Sequence, residues 1–479
     1  MNAKTICRYA PWLLATLLVI SVPLEADDRS ELPNMVSFRN SDGLFATYST
    51  AGSIDLKNPF FQSLGSNGRA CVSCHQPNDG WTVTPAHLLQ RFIHTQGTDP
   101  IFRTNDGSNS PDADVSTVEA RRSAYSMLLS KGLIRVGIGI PADAEFELVA
   151  VDDPYGHASA ADLSLFRRPL PSTNLKFLST TMWDGRETFK DSASQECILG
   201  TTNCFASIHF DLADQANSAT TGHAQGQPLT EAQREAIVAF ETGLFTAQVF
   251  DNEAGSLTAH GARGGPLILS RQNFYFGMND VVSNDYRTGA LFSPNVFKLY
   301  NAWKFPARDG RFGGDYGDRS EARMAVARGE ALFNAKPIRI TDVKGLNDDL
   351  SVPVLNGTCT TCHDTPSAGN HSIPAPLDIG LSDVARRTPD LPLYTLRHTK
   401  APFETIQTTD PGRALITGKW KDIGRFKGPI LRALAARPPY FHNGSAKNLD
   451  AVVDFYNQRF GIDLTEDEKD DLVAFLLTL

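Results

Sequence analysis

The sequence predicts a mainly α fold with irregular loops and a few strands, in which one structural unit occurs twice. Three observations carry this. The stretch Leu229-Thr-Glu-Ala-Gln-Arg-Glu-Ala-Ile-Val-Ala-Phe240 returns as Leu464-Thr-Glu-Asp-Glu-Lys-Asp-Asp-Leu-Val-Ala-Phe475. The pentapeptide Cys71-Val-Ser-Cys74-His75 returns as Cys359-Thr-Thr-Cys362-His363, each a few residues after an Asn-Gly pair, Asn67-Gly68 and Asn356-Gly357. Between these landmarks the chain is punctuated by Gly, Pro and Asp, which favour loops over long regular elements.

In chain order, Lys4 and Arg8 precede an apolar run from Trp12 to Leu24, and Ala26 is followed by Asp27 and Asp28. A basic start, a short apolar core and a small residue before a polar stretch describe a signal peptide over 1–26. An uncleaved anchor is the alternative, because Leu24 would stand at the −3 position. Cleavage removes Lys4, Arg8 and Glu25 and takes the net charge from −9 to −10. That balance argues against nucleic acid or anionic lipid as a partner. No later segment approaches the roughly 18 apolar residues of a spanning helix, so no stable membrane span is expected after cleavage.

The 479 residues suffice for two or three domains at about 150 residues each. Boundaries are read at 27–250, 251–319 and 320–479, the middle region serving as the link. A short helix is expected before each cysteine motif, around Phe60–Ser63 and Arg323–Phe333. Leu133–Ile140 and Glu145–Val151 read as strands, and Pro141-Ala-Asp-Ala between them suggests a hairpin. The loop Asp106–Asp114 holds Asp106, Asn109, Asp112 and Asp114, which could collect a calcium ion; a solvated turn is the plainer reading. Thr230 with Gln233, and Thr465 with Glu468, form capping-box patterns that start a closing helix in each unit. A further helix is expected over Leu449–Tyr456.

The two Cys-x-x-Cys-His motifs carry the chemistry. Two thiols one helical turn apart can add to the vinyl groups of haem while the adjacent imidazole reaches the iron. Zinc would need four ligands, and a redox dithiol would not require the following His or occur twice. The expectation is therefore two covalent haem c groups, on Cys71 and Cys74 and on Cys359 and Cys362, with His75 and His363 as proximal iron ligands. Of seven cysteines, Cys7 leaves with the signal, and Cys197 and Cys204 either form a disulfide or remain free thiols. After the signal the methionines are Met35, Met127, Met182, Met278 and Met324. None follows His363, which matters because Met ligation raises a haem's potential. His87 and His94 follow His75 closely enough to be distal candidates on the first haem, against a surface or capping role. His157, His209, His223, His260, His371, His398 and His442 stay in the pool of sixth-ligand candidates, although each taken individually reads as structural.

Together with these motifs, Met182-Trp183-Asp184-Gly185-Arg186, Phe426-Lys427-Gly428-Pro429-Ile430-Leu431-Arg432 and Pro439-Tyr440-Phe441-His442-Asn443-Gly444-Ser445 resemble the bacterial di-haem cytochrome c peroxidases and their relative MauG. The resemblance implies two cytochrome c-like domains, peroxide at the first haem and electrons entering at the second. It also implies Trp183 as the relay between them. Arg186 then reads as a propionate partner or as a plain salt bridge. Two departures stand out. The family places a Met, or in MauG a Tyr, just before the Phe-Lys pair, where this chain has Arg425. No Glu falls where the family's catalytic carboxylate stands, although Glu196 or Asp211 could substitute.

The leading expectation is thus a periplasmic enzyme reducing hydrogen peroxide with electrons from a small carrier such as cytochrome c or a cupredoxin. MauG-like oxidation of a protein or small-molecule substrate is the second reading, and a pure electron-transfer cytochrome the third. A homodimer is left open.

Overall fold

The computed structural model describes residues 30–188, 195–197, 204–206, 208–305 and 316–479; the segment read as a signal lies outside them. Among the described residues the α-helices are α1 Pro85–Thr95, α2 Val118–Ala124, α3 Ser126–Lys131, α4 Ile208–Gly222, α5 Glu231–Thr242, α6 Pro266–Ser270, α7 Tyr316–Ala335, α8 Ala414–Thr417, α9 Leu449–Phe460 and α10 Glu466–Leu477. Small antiparallel sheets and many 3-10 turns fill the intervals. No helix among the described residues is long and apolar enough to cross a membrane.

Both closing helices start as the local sequence dictates. Thr230 Oγ1 accepts from the Gln233 amide at 3.3 Å, and Gln233 Oε1 accepts from the Thr230 amide at 3.0 Å. Thr465 and Glu468 repeat the exchange at 3.2 and 3.0 Å. Such reciprocal caps satisfy amides that the first helical turn leaves open. Each closing helix then reaches its cysteine motif through an aromatic pair. Phe240 of α5 lies 5.0 Å from Phe60, which lies 6.3 Å from the His75 ring. Phe475 of α10 lies 5.8 Å from Phe333, which lies 6.0 Å from the His363 ring. The repeat read in the sequence is therefore a repeat of packing.

The units differ in the element before the motif. The first has only the 3-10 turn Pro59–Phe61, whereas the second has all of α7. Helices α7 and α10 cross closely at Gly329, where a β-carbon would stand 1.9 Å from the Asp471 carbonyl oxygen. Part of the 251–319 region packs into this core. Tyr300 and Trp303 are buried there, the Tyr300 hydroxyl donates to the Thr478 carbonyl, and Glu330 accepts from the Leu299 and Tyr300 amides.

The expected hairpin is not formed. Ile134–Ile138 pairs with Leu163–Arg167, and Phe146–Asp152 pairs with Leu393–His398. Both strands have apolar faces that a two-stranded ribbon would leave open to water. Phe146, Leu163, Leu165, Tyr394 and Leu396 bury them together in one cluster. A strand of the first half thereby joins the edge of a sheet whose other two strands, Leu393–His398 and Thr405–Thr408, come from the second.

The four side chains of the 106–114 loop singled out for calcium each bond a protein partner. Asp106 bonds Arg69 and His223, Asn109 Nδ2 donates to Ser126, Asp112 bonds His157, and Asp114 accepts from the Ser116 amide. Among the described residues no group of three or more His, Cys, Asp or Glu could hold a metal ion. Strands Gln195–Cys197 and Cys204–Ala206 pair with Cys197 opposite Cys204 in backbone register; their side chains lie outside the described residues.

Candidate functional site

Two cavities lie in the interior, one against each cysteine motif. Cys71, Cys74 and His75 line the first, and Cys359, Cys362 and His363 line the second. The motifs fold alike, each as one turn of 3-10 helix, Cys71–Ser73 and Cys359–Thr361. Ser73 Oγ accepts from the Ala70 amide at 3.0 Å, and Thr361 Oγ1 from the Thr358 amide at 3.0 Å. Each histidine amide then donates to the first cysteine's carbonyl, at 3.0 Å for His75 and 3.2 Å for His363.

The imidazoles are set by one further bond each. His75 Nδ1 lies 3.1 Å from the Trp81 carbonyl oxygen, and His363 Nδ1 lies 2.6 Å from that of Gly369. A carbonyl only accepts, so Nδ1 carries the proton and the Nε2 lone pair is left for a metal. Burial keeps both rings neutral, pulling each down to about 4. Burial also pushes the thiols of Cys71, Cys359 and Cys362 up to about 12. A reactive dithiol needs the opposite, a thiol held below its usual value.

The cavities share a wall. Trp183, Arg168, Lys427, Pro429 and Arg437 line both. Trp183 Nε1 donates to the Arg168 carbonyl at 2.8 Å, which fixes the indole in that wall. Arg168, Lys427 and Arg432 are buried and Arg437 is half-buried, yet none pairs with a carboxylate among the described residues. They donate to carbonyls instead: Arg168 to Lys131 and Val83, Lys427 to Thr180, Arg432 to Ser367, and Arg437 to Ile430. Arg432 Nε has no partner. Burial pulls Lys427 down to about 7 and each of the three arginines down to about 10.

Leaving a buried cation without counter-charge costs several kcal/mol, and anionic groups held in the cavities would supply that charge. Two haems bring two propionates apiece, which matches the cations one for one. With two cysteine pairs and two Nε2 lone pairs, the residues fit two haem c groups.

Asp184 of the Trp-Asp-Gly-Arg run is already satisfied. Burial alone would raise its carboxyl, but Arg167 at 2.5 Å and Arg186 at 3.2 Å outweigh that and hold it near 2. Arg167 also bonds Asp410 at 2.7 Å. Arg186 is thus in an ion pair and lines the first cavity as well.

His87 and His94 line neither cavity. Helix α1 turns Leu88 and Phe92 to the core, which leaves both histidines on its outer side. His87 Nδ1 lies 2.5 Å from Asp79, and His94 Nδ1 lies 2.9 Å from the Gln90 carbonyl oxygen. Three other groups reach the cavities. His223, bonded to Asp106 at 2.5 Å, lines the first. Glu241 lines it too, buried, with Oε2 unpartnered and its carboxyl pushed by burial up to about 7. His442 lines the second. Glu241 had a sequence signal, since it follows Phe240 where the other copy of the repeat has Leu476. A polar residue there breaks the apolar pattern.

No family model matches the chain. It is 30% identical over 182 residues to the cytochrome-c peroxidase IdrP1 of Pseudomonas sp. (strain SCT), covering 34% of this chain and 42% of that protein. It is 38% identical over 78 residues to the cytochrome c peroxidase Ccp of Escherichia coli (strain K12), covering 16% and 17%. It is 30% identical over 122 residues to the cytochrome c551 peroxidase of Nitrosomonas europaea, covering 25% and 30%. The matched segments thus span less than half the length of these curated relatives. A solved structure of a MauG-like protein associated with microbial copper homeostasis aligns over 88% of this chain and 86% of that one, at 16% identity and a TM-score of 0.37.

Proposed function

We propose, from the premise that the chain is related in sequence to the cytochrome c peroxidases, that it is an exported di-haem peroxidase. It would reduce hydrogen peroxide in the periplasm with electrons from a small carrier such as cytochrome c or a cupredoxin. The observation that carries this reading is the shared wall: two motif-bearing cavities meet at Trp183 and a set of cations without counter-ions.

In this reading, residues 27–250 form the haem domain where peroxide is reduced and 320–479 the one that receives electrons, with 251–319 between them. Cys71, Cys74, Cys359 and Cys362 make the thioether links, and Nε2 of His75 and of His363 ligate the irons. Haem bound there supplies peroxide cleavage at one site and single-electron storage at the other. The polypeptide does the rest. Arg168, Lys427, Arg432 and Arg437 neutralise propionates and fix the two groups against their common wall. Trp183 bridges that wall and relays electrons. Glu241 holds a proton at its carboxyl near neutral pH, the range in which a general acid–base group serves best. Its unpartnered Oε2 is free to pass that proton into the first cavity. His87 and His94 take no part.

The test is peroxide consumption by the mature protein in the presence of a reduced carrier. Trp183→Phe is expected to keep both haems and slow turnover by about tenfold or more, equivalent to about 1.4 kcal/mol of barrier. Absence of peroxide consumption with any reduced carrier would overturn this reading and leave MauG-like oxidation of another substrate or a pure electron-transfer cytochrome.

A further inference from the structure

His442 lines the second cavity and has no role in the function proposed. It is 1% exposed, and among the described residues neither ring nitrogen has a hydrogen-bond partner. Its nearest carboxylate, Asp410, stands 4.0 Å from Nε2 and is engaged with Arg167. Phe426 stacks on the ring at 4.0 Å between centroids, and Trp183 meets it edge-on at 6.2 Å, so the packing holds it in one orientation. An unsatisfied polar group in the interior forfeits the hydration it would have in water. A fixed imidazole with both nitrogens idle therefore calls for a partner that the polypeptide does not supply.

The other nitrogen and sulfur donors on this cavity are committed. Cys359 and Cys362 are the attachment thiols, and the Lys427 ammonium donates to the Thr180 carbonyl. No methionine lines the cavity. Arg425, next to Phe426 in sequence, turns away to Asp348, Asp349 and Asp422. Of the oxygen donors, the Tyr440 hydroxyl is bonded to the Leu434 carbonyl, which leaves Tyr456 as the rival.

We propose that His442 is the second axial ligand of the iron held by His363, so that this haem is a bis-histidine centre. The proposal rests on haem being attached at Cys359 and Cys362. It carries a redox consequence: without methionine ligation the second haem has a lower potential than a His/Met centre would have.

The experiment uses the mature holoprotein, with intact mass recorded first to count haems. Electron paramagnetic resonance and near-infrared magnetic circular dichroism of the oxidised wild type should show a low-spin bis-histidine signal. His442→Gly should keep the mass of two haems, convert one iron from low to high spin, and regain low spin when imidazole is added. Tyr456→Phe should leave the spectrum unchanged. The proposal is overturned if His442→Gly leaves the spin states as they were, or if Tyr456→Phe makes the change. Should His442→Gly fail to mature, the wild-type spectrum decides, and a thioether-ligated, phenolate-ligated or five-coordinate second haem would overturn it. A chain without haem mass would instead bring down the di-haem reading itself.

Discussion

Two histidines, His87 and His442, differ in what their rings can bond, and the partner of each ring decides the part it can play. His87 follows a haem motif closely, yet its Nδ1 is taken by Asp79, which also accepts from Thr84 at the start of α1. The Asp79 bond raises His87 above its ordinary value of 6.5. The pair's stabilisation is therefore complete below about pH 6.5 and is lost as pH rises through the higher folded value. His87→Gln is expected to cost about 0.5–1 kcal/mol in thermal unfolding at pH 6 and less at pH 8, with an unchanged Soret spectrum. A changed spectrum would return His87 to the list of iron ligands. His442, by contrast, has nothing to bond except what the cavity holds. Trp183 was singled out only by the resemblance to the peroxidases, whereas the two motifs could be read from sequence because their spacing is local chemistry. The idleness of His442, and the lack of counter-ions at Arg168, Lys427, Arg432 and Arg437, could not, since an absent partner is a property of the folded surroundings.

Helices with local start signals were legible, and strands whose partners lie far away were not. The capping boxes at Thr230 and Thr465 and the apolar spacing behind them placed α5 and α10 correctly, because both signals sit within a few residues. The hairpin expected around Pro141 failed for the opposite reason: Phe146–Asp152 finds its partner in Leu393–His398, hundreds of residues on. Gly329 shows the same limit inside a helix. Alanine in a helix interior is ordinarily favoured over glycine by about 1 kcal/mol. Here the β-carbon would meet the Asp471 carbonyl at 1.9 Å, so α7 and α10 would have to separate. Gly329→Ala is expected to lower the unfolding midpoint despite its better helix propensity. An unchanged or raised midpoint would show that the crossing is not close.

Across the whole molecule, the wall between the cavities is assembled from both halves of the chain. Arg168 and Trp183 come from the first half, and Lys427 and Arg437 from the second. The strand pairing between Phe146–Asp152 and Leu393–His398 ties the halves together away from that wall. Neither cavity is complete unless both halves are folded, and the buried cations favour the fold only when their anions are present. Protein made without haem should accordingly be poorly folded, by the same linkage that governs metal-dependent domains. Haem attachment at both motifs is directly measurable. Intact mass of the chain matured in a periplasm with haem-attachment machinery should exceed the polypeptide by two haems, and by one after Cys71→Ala with Cys74→Ala. A mass equal to the polypeptide alone would contradict it.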